Sequence, residues 1–140
     1  MIPHRALLVL AALGALTLTL AGCGDSAQSD DGASVVFGEG VIPASVPADF
    51  PVPEGAVVGT TLVDRMNHRT EFRLNLAEEA TAVIQYYTVS LVSAGYVVDN
   101  SEGDITLWSI EFSRDTLRGS VLIQPAGNGL AAVVVSINRS

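Results

Sequence analysis

Thr70-Glu71-Phe72-Arg73-Leu74-Asn75-Leu76 is the stretch that decides the fold. Within it Phe72, Leu74 and Leu76 alternate with three polar residues, and this strict period of two is typical of a strand with one buried face. Residues 105–114 and 130–138 show the same alternation. We therefore predict a sheet that buries one face and presents the other to solvent, with Arg73 and its polar neighbours on the solvent side.

Working outward from this strand, residues 78–94 predict one long helix. Glu78 and Glu79 lie in its predicted first turn, where carboxylates favour the positive end of the helix dipole. Gly95 follows as a C-terminal cap. Apolar residues recur at spacings of three and four and form one stripe, consisting of Ala80, Val83, Ile84, Tyr87, Leu91 and Ala94.

The remaining pattern is a run of short strands. We predict strands at residues 56–63, 96–99 and 120–124, turns at residues 100–104 and 115–119, and a hairpin at Ala126-Gly127-Asn128-Gly129. The predicted fold is α+β and two-layered. An antiparallel sheet of about five to six strands carries the helix on one face, in the order ββαββββ. We assign this single domain to residues 46–140.

The N-terminal residues have the parts of a secretory signal. Arg5 supplies a positive charge, and residues 6–20 are uncharged and apolar. Leu20-Ala21-Gly22-Cys23 then resembles a bacterial lipobox, and Cys23 is the only cysteine of the chain. The resemblance implies a lipoprotein signal peptide at residues 1–22 and a diacylglyceryl group on Cys23. It further implies anchoring in the cell membrane on the extracytoplasmic side; a plain signal peptide is the alternative.

Residues 23–45 predict a flexible tether that follows the lipidated cysteine. Small, polar and acidic residues dominate it, and they bury too little surface to offset the entropy of ordering. The apolar residues 35–37 either dock on the domain or remain in the linker. Prolines at 43, 47, 51 and 53 predict an extended lead-in held against the domain by Val46, Phe50 and Val52. Residues 49–56 weakly resemble the lead-in of small bacterial lipoproteins.

The mature chain is poor in groups that perform catalysis. His68 is its only histidine and lies in a predicted turn. Asp64, His68 and Glu71 are too few and too dissimilar to the usual ligand sets to predict a metal site. No Gly-x-Ser-x-Gly elbow presents a nucleophilic serine. We therefore predict no enzyme, no cofactor and no metal.

Charge excludes one class of partner. The chain carries 15 acidic residues against 7 arginines, and loss of Arg5 with the leader would change the net charge from −8 to −9. Such a chain repels nucleic acid. Arg65, Arg69 and Arg73 form the one cationic cluster, and they either pair with nearby carboxylates or form an anion or protein site. Trp108 is read as a core residue or as an exposed stacking residue.

The hypothesis that unites these observations is a membrane-anchored binding or accessory module. Its partners would be the lipid bilayer, through Cys23, and an envelope protein or cell-wall component. The candidate partner-binding residues are Arg65, Arg69, Arg73 and Trp108. Two alternatives remain: a carrier of a small hydrophobic ligand held between helix and sheet, and a small hydrolase that uses His68.

Overall fold

The computed structural model describes residues 32–140, so the predicted lipobox and Cys23 lie outside the described residues. Within this range the chain forms, in order, β1 (Val35–Glu39), β2 (Val57–Asp64), β3 (Arg69–Leu76), α1 (Ala80–Ser93), β4 (Val97–Gly103), β5 (Trp108–Arg114), β6 (Leu117–Gly127) and β7 (Leu130–Arg139). The seven strands form one sheet in the order β1-β2-β3-β7-β6-β5-β4. Every neighbouring pair is antiparallel.

The predicted fold class is wrong. The described part of the chain has seven strands rather than five to six, and the element order is βββαββββ rather than ββαββββ. Strands hold 51% of the described residues and the single helix 13%. The fold is therefore mainly β, and the predicted α+β class does not describe it.

The additional strand, β1, lies within the segment that the sequence assigned to the tether. Arg65 donates its backbone N–H to the carbonyl of Ser34 at 2.8 Å, and Gly40 donates to Gly59 at 3.0 Å. The ladder between these bonds pairs β1 with β2. Val35, Val36 and Phe37 favour a strand by residue type, but five residues without alternation do not by themselves predict one. Pairing with the outer edge of β2 makes the segment a strand.

Other strand bounds also differ from the predicted ones, and β5 begins at Trp108, three residues later than the predicted start at residue 105. Residues 100–103 belong to β4 rather than to a turn, and the turn between β4 and β5 lies at residues 104–107. Strand β6 begins at Leu117 and continues past Pro125, where a register irregularity relieves the missing N–H. The predicted hairpin is confirmed: Asn128 and Gly129 have φ of 54° and 72°, as a two-residue type I′ turn requires.

Helix α1 carries the chain from β3 in the middle of the sheet to β4 at its edge. It packs over β4, β5, β6 and β7. The predicted stripe is confirmed, with Val83, Tyr87 and Leu91 fully buried. Gly95, at φ 83°, ends the helix, and Tyr96 donates its N–H to the carbonyl of Leu91 at 3.0 Å in a Schellman arrangement.

A second cover lies beside the helix and consists of residues 40–56, which connect β1 to β2. The predicted extended geometry is wrong here, because the carbonyls of Pro43 and Pro47 each accept a bond from the amide three residues later, at 3.0 Å. The donating amides belong to Val46 and Phe50, and the side chains of both residues are buried, as the sequence predicts. The segment is thus a series of turns, and it packs two apolar side chains against the sheet.

Phe50 is the centre of the resulting core. Its ring centroid lies 6.0 Å from that of Phe72 on β3, 5.5 Å from Phe112 on β5, 5.8 Å from Tyr96 and 6.5 Å from Tyr87 on α1. The contacts with Phe72 and Tyr96 are edge-to-face, a favoured aromatic geometry. One side chain therefore joins both covers to the sheet.

Arg114 fixes the second cover from outside. Its guanidinium donates two bonds to the carboxylate of Asp49, at 2.7 and 3.0 Å, and a third to the carbonyl of Ala94 at 2.9 Å. It also lies 4.1 Å above the ring of Tyr96. The bidentate pair holds the residue next to Phe50 against the end of the helix, and the hydrogen bond from Arg114 lowers the pKa of Asp49.

We expect Phe50→Ala to lower the free energy of unfolding by about 3–5 kcal/mol, because the cavity would lie among four aromatic rings. Phe37→Ala is the matched control, since the Phe37 side chain on β1 is 75% exposed. It should change stability by no more than about 0.5 kcal/mol. Urea unfolding monitored by circular dichroism measures both, and equal losses would contradict the central role of Phe50.

The ion pair between Asp49 and Arg114 should make stability depend on acid pH. The pKa of Asp49 is lowered in the folded protein, so the pair stabilises above the unfolded pKa and is lost as pH falls through the folded value. Asp49→Asn should therefore be less stable than the wild type at pH 7, with the difference disappearing once the pH falls below the folded pKa of Asp49. Glu54→Gln, in the same segment, is the control: this carboxylate forms no ion pair within residues 32–140, so the variant should stay as stable as the wild type at pH 7.

Candidate functional site

The two faces of the sheet differ in what covers them. Helix α1 and residues 40–56 cover one face, and its side chains form the core. No helix or strand among residues 32–140 packs on the other, which we call the open face. Strand register places on it Arg69, Glu71, Arg73 and Asn75 of β3, Ala132, Val134, Ser136 and Asn138 of β7, Arg118, Ser120, Leu122 and Gln124 of β6, and Ser109, Glu111 and Ser113 of β5.

The open face contains a recess of about 460 Å³. Leu122, Ala132 and Val134 contribute apolar surface to it. Polar groups come from Arg73, Asn75, Gln124, Thr60 and Glu39, and Leu107 reaches it from the β4–β5 turn. We call this depression the Arg73 recess. It combines guanidinium, carboxamide and carboxylate groups around an apolar patch.

Arg73 is the distinctive group of the recess. It is exposed on β3, and its guanidinium makes no hydrogen bond or ion pair with any residue of the described range. Its cross-strand neighbour is Val134, which offers no acceptor side chain. The five donors of Arg73 are therefore available to an acceptor from outside, and a carboxylate or phosphate matches their planar arrangement.

The other predicted arginines do not join Arg73 in the recess. Arg69 shares the open face but bonds to Glu71 at 2.6 Å, which satisfies the predicted pairing. Arg65 lies in the β2–β3 turn and donates to the carbonyl of Ala33 at 3.0 Å. Asp64 caps that turn through the amides of Met66 and Asn67, so it does not pair with the cluster. The predicted cationic cluster is thus divided among three different environments.

Trp108 lies on the opposite side of the sheet from Arg69 and Arg73. Its strand partner Ile123 is buried in the core, while the indole remains half-buried at the edge. It lines a groove of about 320 Å³ between the start of α1 and the sheet, which we call the Trp108 groove. The groove is bounded by Glu79, Ala80, Thr81, Ile84, Asp104, Ile105, Trp108, Ile123 and Pro125.

His68 occupies the β2–β3 turn with a φ of 51°. Its backbone carbonyl accepts the amide of Arg139 at 3.1 Å, and its imidazole makes no hydrogen bond within residues 32–140. It borders a depression of about 120 Å³ with Ser45, whose hydroxyl bonds to Thr70 at 2.7 Å. The turn thus gives His68 a structural role through its backbone, and no acid orients its ring.

Sequence reasoning missed several groups of the Arg73 recess. Glu39 was assigned to the tether, and its place beside Thr60 depends on the β1–β2 ladder. Leu122 and Gln124 were read as part of a short strand without a face. Ser120, Leu122 and Gln124 follow one another at a spacing of two, and this signal would have placed all three on one side of β6.

Residues 32–140 contain neither a candidate metal site nor a candidate membrane-spanning helix. This range holds no group of three or more His, Cys, Asp or Glu arranged to bind a metal ion. Among its helices, none has both the length and the apolar character needed to cross a membrane. In comparisons with known proteins, no family model, curated protein or solved structure matches the chain.

Proposed function

We propose that this protein is a lipoprotein anchored through Cys23 at the extracytoplasmic side of the cell membrane. Its domain would act as a non-enzymatic binding or accessory module, and its open face would bind an envelope protein or a cell-wall component. The observation that carries the proposal is the Arg73 recess, in which an unpaired guanidinium lies on an uncovered sheet face. The lipobox residues support the location.

The position of β1 limits how far the module would extend. Only residues 24–34 separate Cys23 from Val35, where the sheet begins. Twelve steps of fully extended chain reach about 40 Å at most, from ~3.3–3.6 Å per residue. A partner of the open face would therefore lie close to the membrane surface, as membrane-associated envelope proteins and the adjacent cell wall do.

The composition of the recess indicates the chemistry of the partner. Arg73 favours a carboxylate or phosphate, and the carboxamides of Asn75 and Gln124 donate and accept hydrogen bonds. Leu122 and Val134 provide apolar contact between these groups. Peptides and glycans that carry a carboxylate offer all three kinds of contact. The acidic net charge of the chain disfavours nucleic acid.

The anchor is tested first at Cys23. We expect Cys23→Ser to move the protein from the membrane fraction to the soluble extracytoplasmic fraction, because the thiol that would carry the acyl chains is absent. Ser26→Ala is the matched control and should stay with the membrane. Intact-mass analysis of the native product should give a diacylglyceryl-modified chain that starts at residue 23. An unmodified thiol, or another first residue, would contradict the anchor.

The binding surface is tested by site-specific photocrosslinking in cells. A photoreactive residue at Gln124 lies in the recess, whereas one at Val89 lies on the exposed side of α1. We expect a discrete crosslinked product from position 124 only. Arg73→Ala should reduce its yield about tenfold, because a charged hydrogen bond is worth roughly 1.5–3 kcal/mol.

Arg118→Ala is the control for this experiment, since Arg118 lies on the open face but outside the recess. It should leave the yield within about twofold of the wild type. Products of equal yield from both positions, or a yield that does not depend on Arg73, would show that the recess is not the binding surface. The adduct, identified by mass spectrometry, would distinguish a protein partner from a cell-wall fragment.

A further inference from the structure

The Trp108 groove arises where the first turn of α1 meets the edge of the sheet. The helix residues at this point, Ala80 and Thr81, have small side chains, so the helix does not fill the space above β5 and β6. Ile84, Trp108 and Ile123 form an apolar surface in the space that remains. Its volume of about 320 Å³ lies at the lower end of the range for small-molecule sites, roughly 300–1,000 Å³.

The indole of Trp108 has a fixed orientation in this groove. Its Nε1 donates a hydrogen bond to the hydroxyl of Ser101 at 2.9 Å, which satisfies the only polar group of the ring. The ring is half-buried, so part of its surface faces the groove. An aromatic surface with its polar atom already bonded is suited to apolar contact and to contact with a cation.

Ile105 forms the outer wall of the groove, and its side chain is 90% exposed. The turn that carries it is held by Asp104, whose carboxylate accepts bonds from the amide of Thr106 at 2.7 Å, the hydroxyl of Thr106 at 2.6 Å and the amide of Leu107 at 3.2 Å. A rigid turn thus keeps an isoleucine in water beside an apolar groove. A ligand in the groove would cover both.

The charges around the groove have one sign. Glu79 and Asp104 line it, neither forms an ion pair within residues 32–140, and no cationic side chain lines it. The hydroxyl and backbone amide of Thr106 lower the pKa of Asp104, which keeps this carboxylate ionised in mild acid. The N-terminus of α1 carries only about half a positive charge. Two carboxylates outweigh it.

We propose that the Trp108 groove binds a small cationic amphiphile, a molecule with a short alkyl chain or ring attached to a protonated amine. The apolar part would lie against Ile84, Trp108 and Ile105, and the ammonium group would lie beside Glu79 and Asp104. This site is on the other face of the sheet from the Arg73 recess, and it does not depend on the function proposed for that recess.

Trp108 provides the measurement, because it is the only tryptophan of the chain. We would titrate the chain from residue 23, carrying Cys23→Ser, with octylammonium, 1-octanol and octanoate below their aggregation concentrations. These probes share a chain length and differ in charge. We expect saturable changes in tryptophan emission, with Kd for octylammonium about tenfold lower than for 1-octanol, and octanoate weakest. Equal affinities, a preference for octanoate or no saturable change would overturn the proposal.

Variants locate the site and separate charge from burial. Glu79→Gln combined with Asp104→Asn keeps an acceptor oxygen for the turn and should bring the Kd of octylammonium to that of 1-octanol. Glu78→Gln combined with Glu111→Gln removes two carboxylates outside the groove and should preserve the tenfold preference. Ile105→Lys, at an exposed position, should weaken octylammonium binding at least tenfold. A preference that survives the double variant, or binding that tolerates Ile105→Lys, would show that the probe binds elsewhere.

Discussion

The ring of Phe50 completes a core that the helix alone leaves open. A sheet of seven strands is wider than one helix, and α1 contacts only β4, β5, β6 and β7. Phe50 lies in the segment 40–56 beside the helix, and its ring contacts Phe72 of β3 and Phe112 of β5. Burial of such a ring contributes about 1.5–3 kcal/mol, a large share of the net stability of a small domain. The bidentate bond from Arg114 to Asp49 holds this cover in place.

One-sided burial has a direct consequence for the rest of the surface. All covering segments in the described range lie on one face, so the other is free to carry polar side chains and the Arg73 recess. Both depressions lie toward the same end of the sheet, and the β4–β5 turn contributes to each. Its residue Leu107 lines the recess, whereas Ile105 lines the Trp108 groove. This turn, held by Asp104, therefore shapes a candidate site on either face.

Several features of the fold were predictable because their causes are local. Alternation in residues 70–76 identified the buried and open faces of β3 correctly, and spacing of three and four identified the buried stripe of α1. The Asn128-Gly129 turn was predictable since both residues tolerate positive φ. Strand β1 was not predictable in this way. Its five residues form a strand because they pair with the outer edge of β2, whose other edge pairs with β3.

The candidate sites also combine features that the local sequence predicts with features that depend on the tertiary structure. Residue types and their periodicity were sufficient to place Arg73 on the solvent-facing side of β3. They also placed Trp108 on the side of β5 that faces the core. The resemblance to a lipobox rests on the linear run of residues 20–23 alone and needs no reference to any fold. Strand order and register decided which arginine lacks a partner within residues 32–140. They also brought Glu39 and Gln124 to the same recess as Arg73. Strand order and register depend on hydrogen bonds between residues far apart in the chain, and a short segment of sequence does not contain both partners of such a bond.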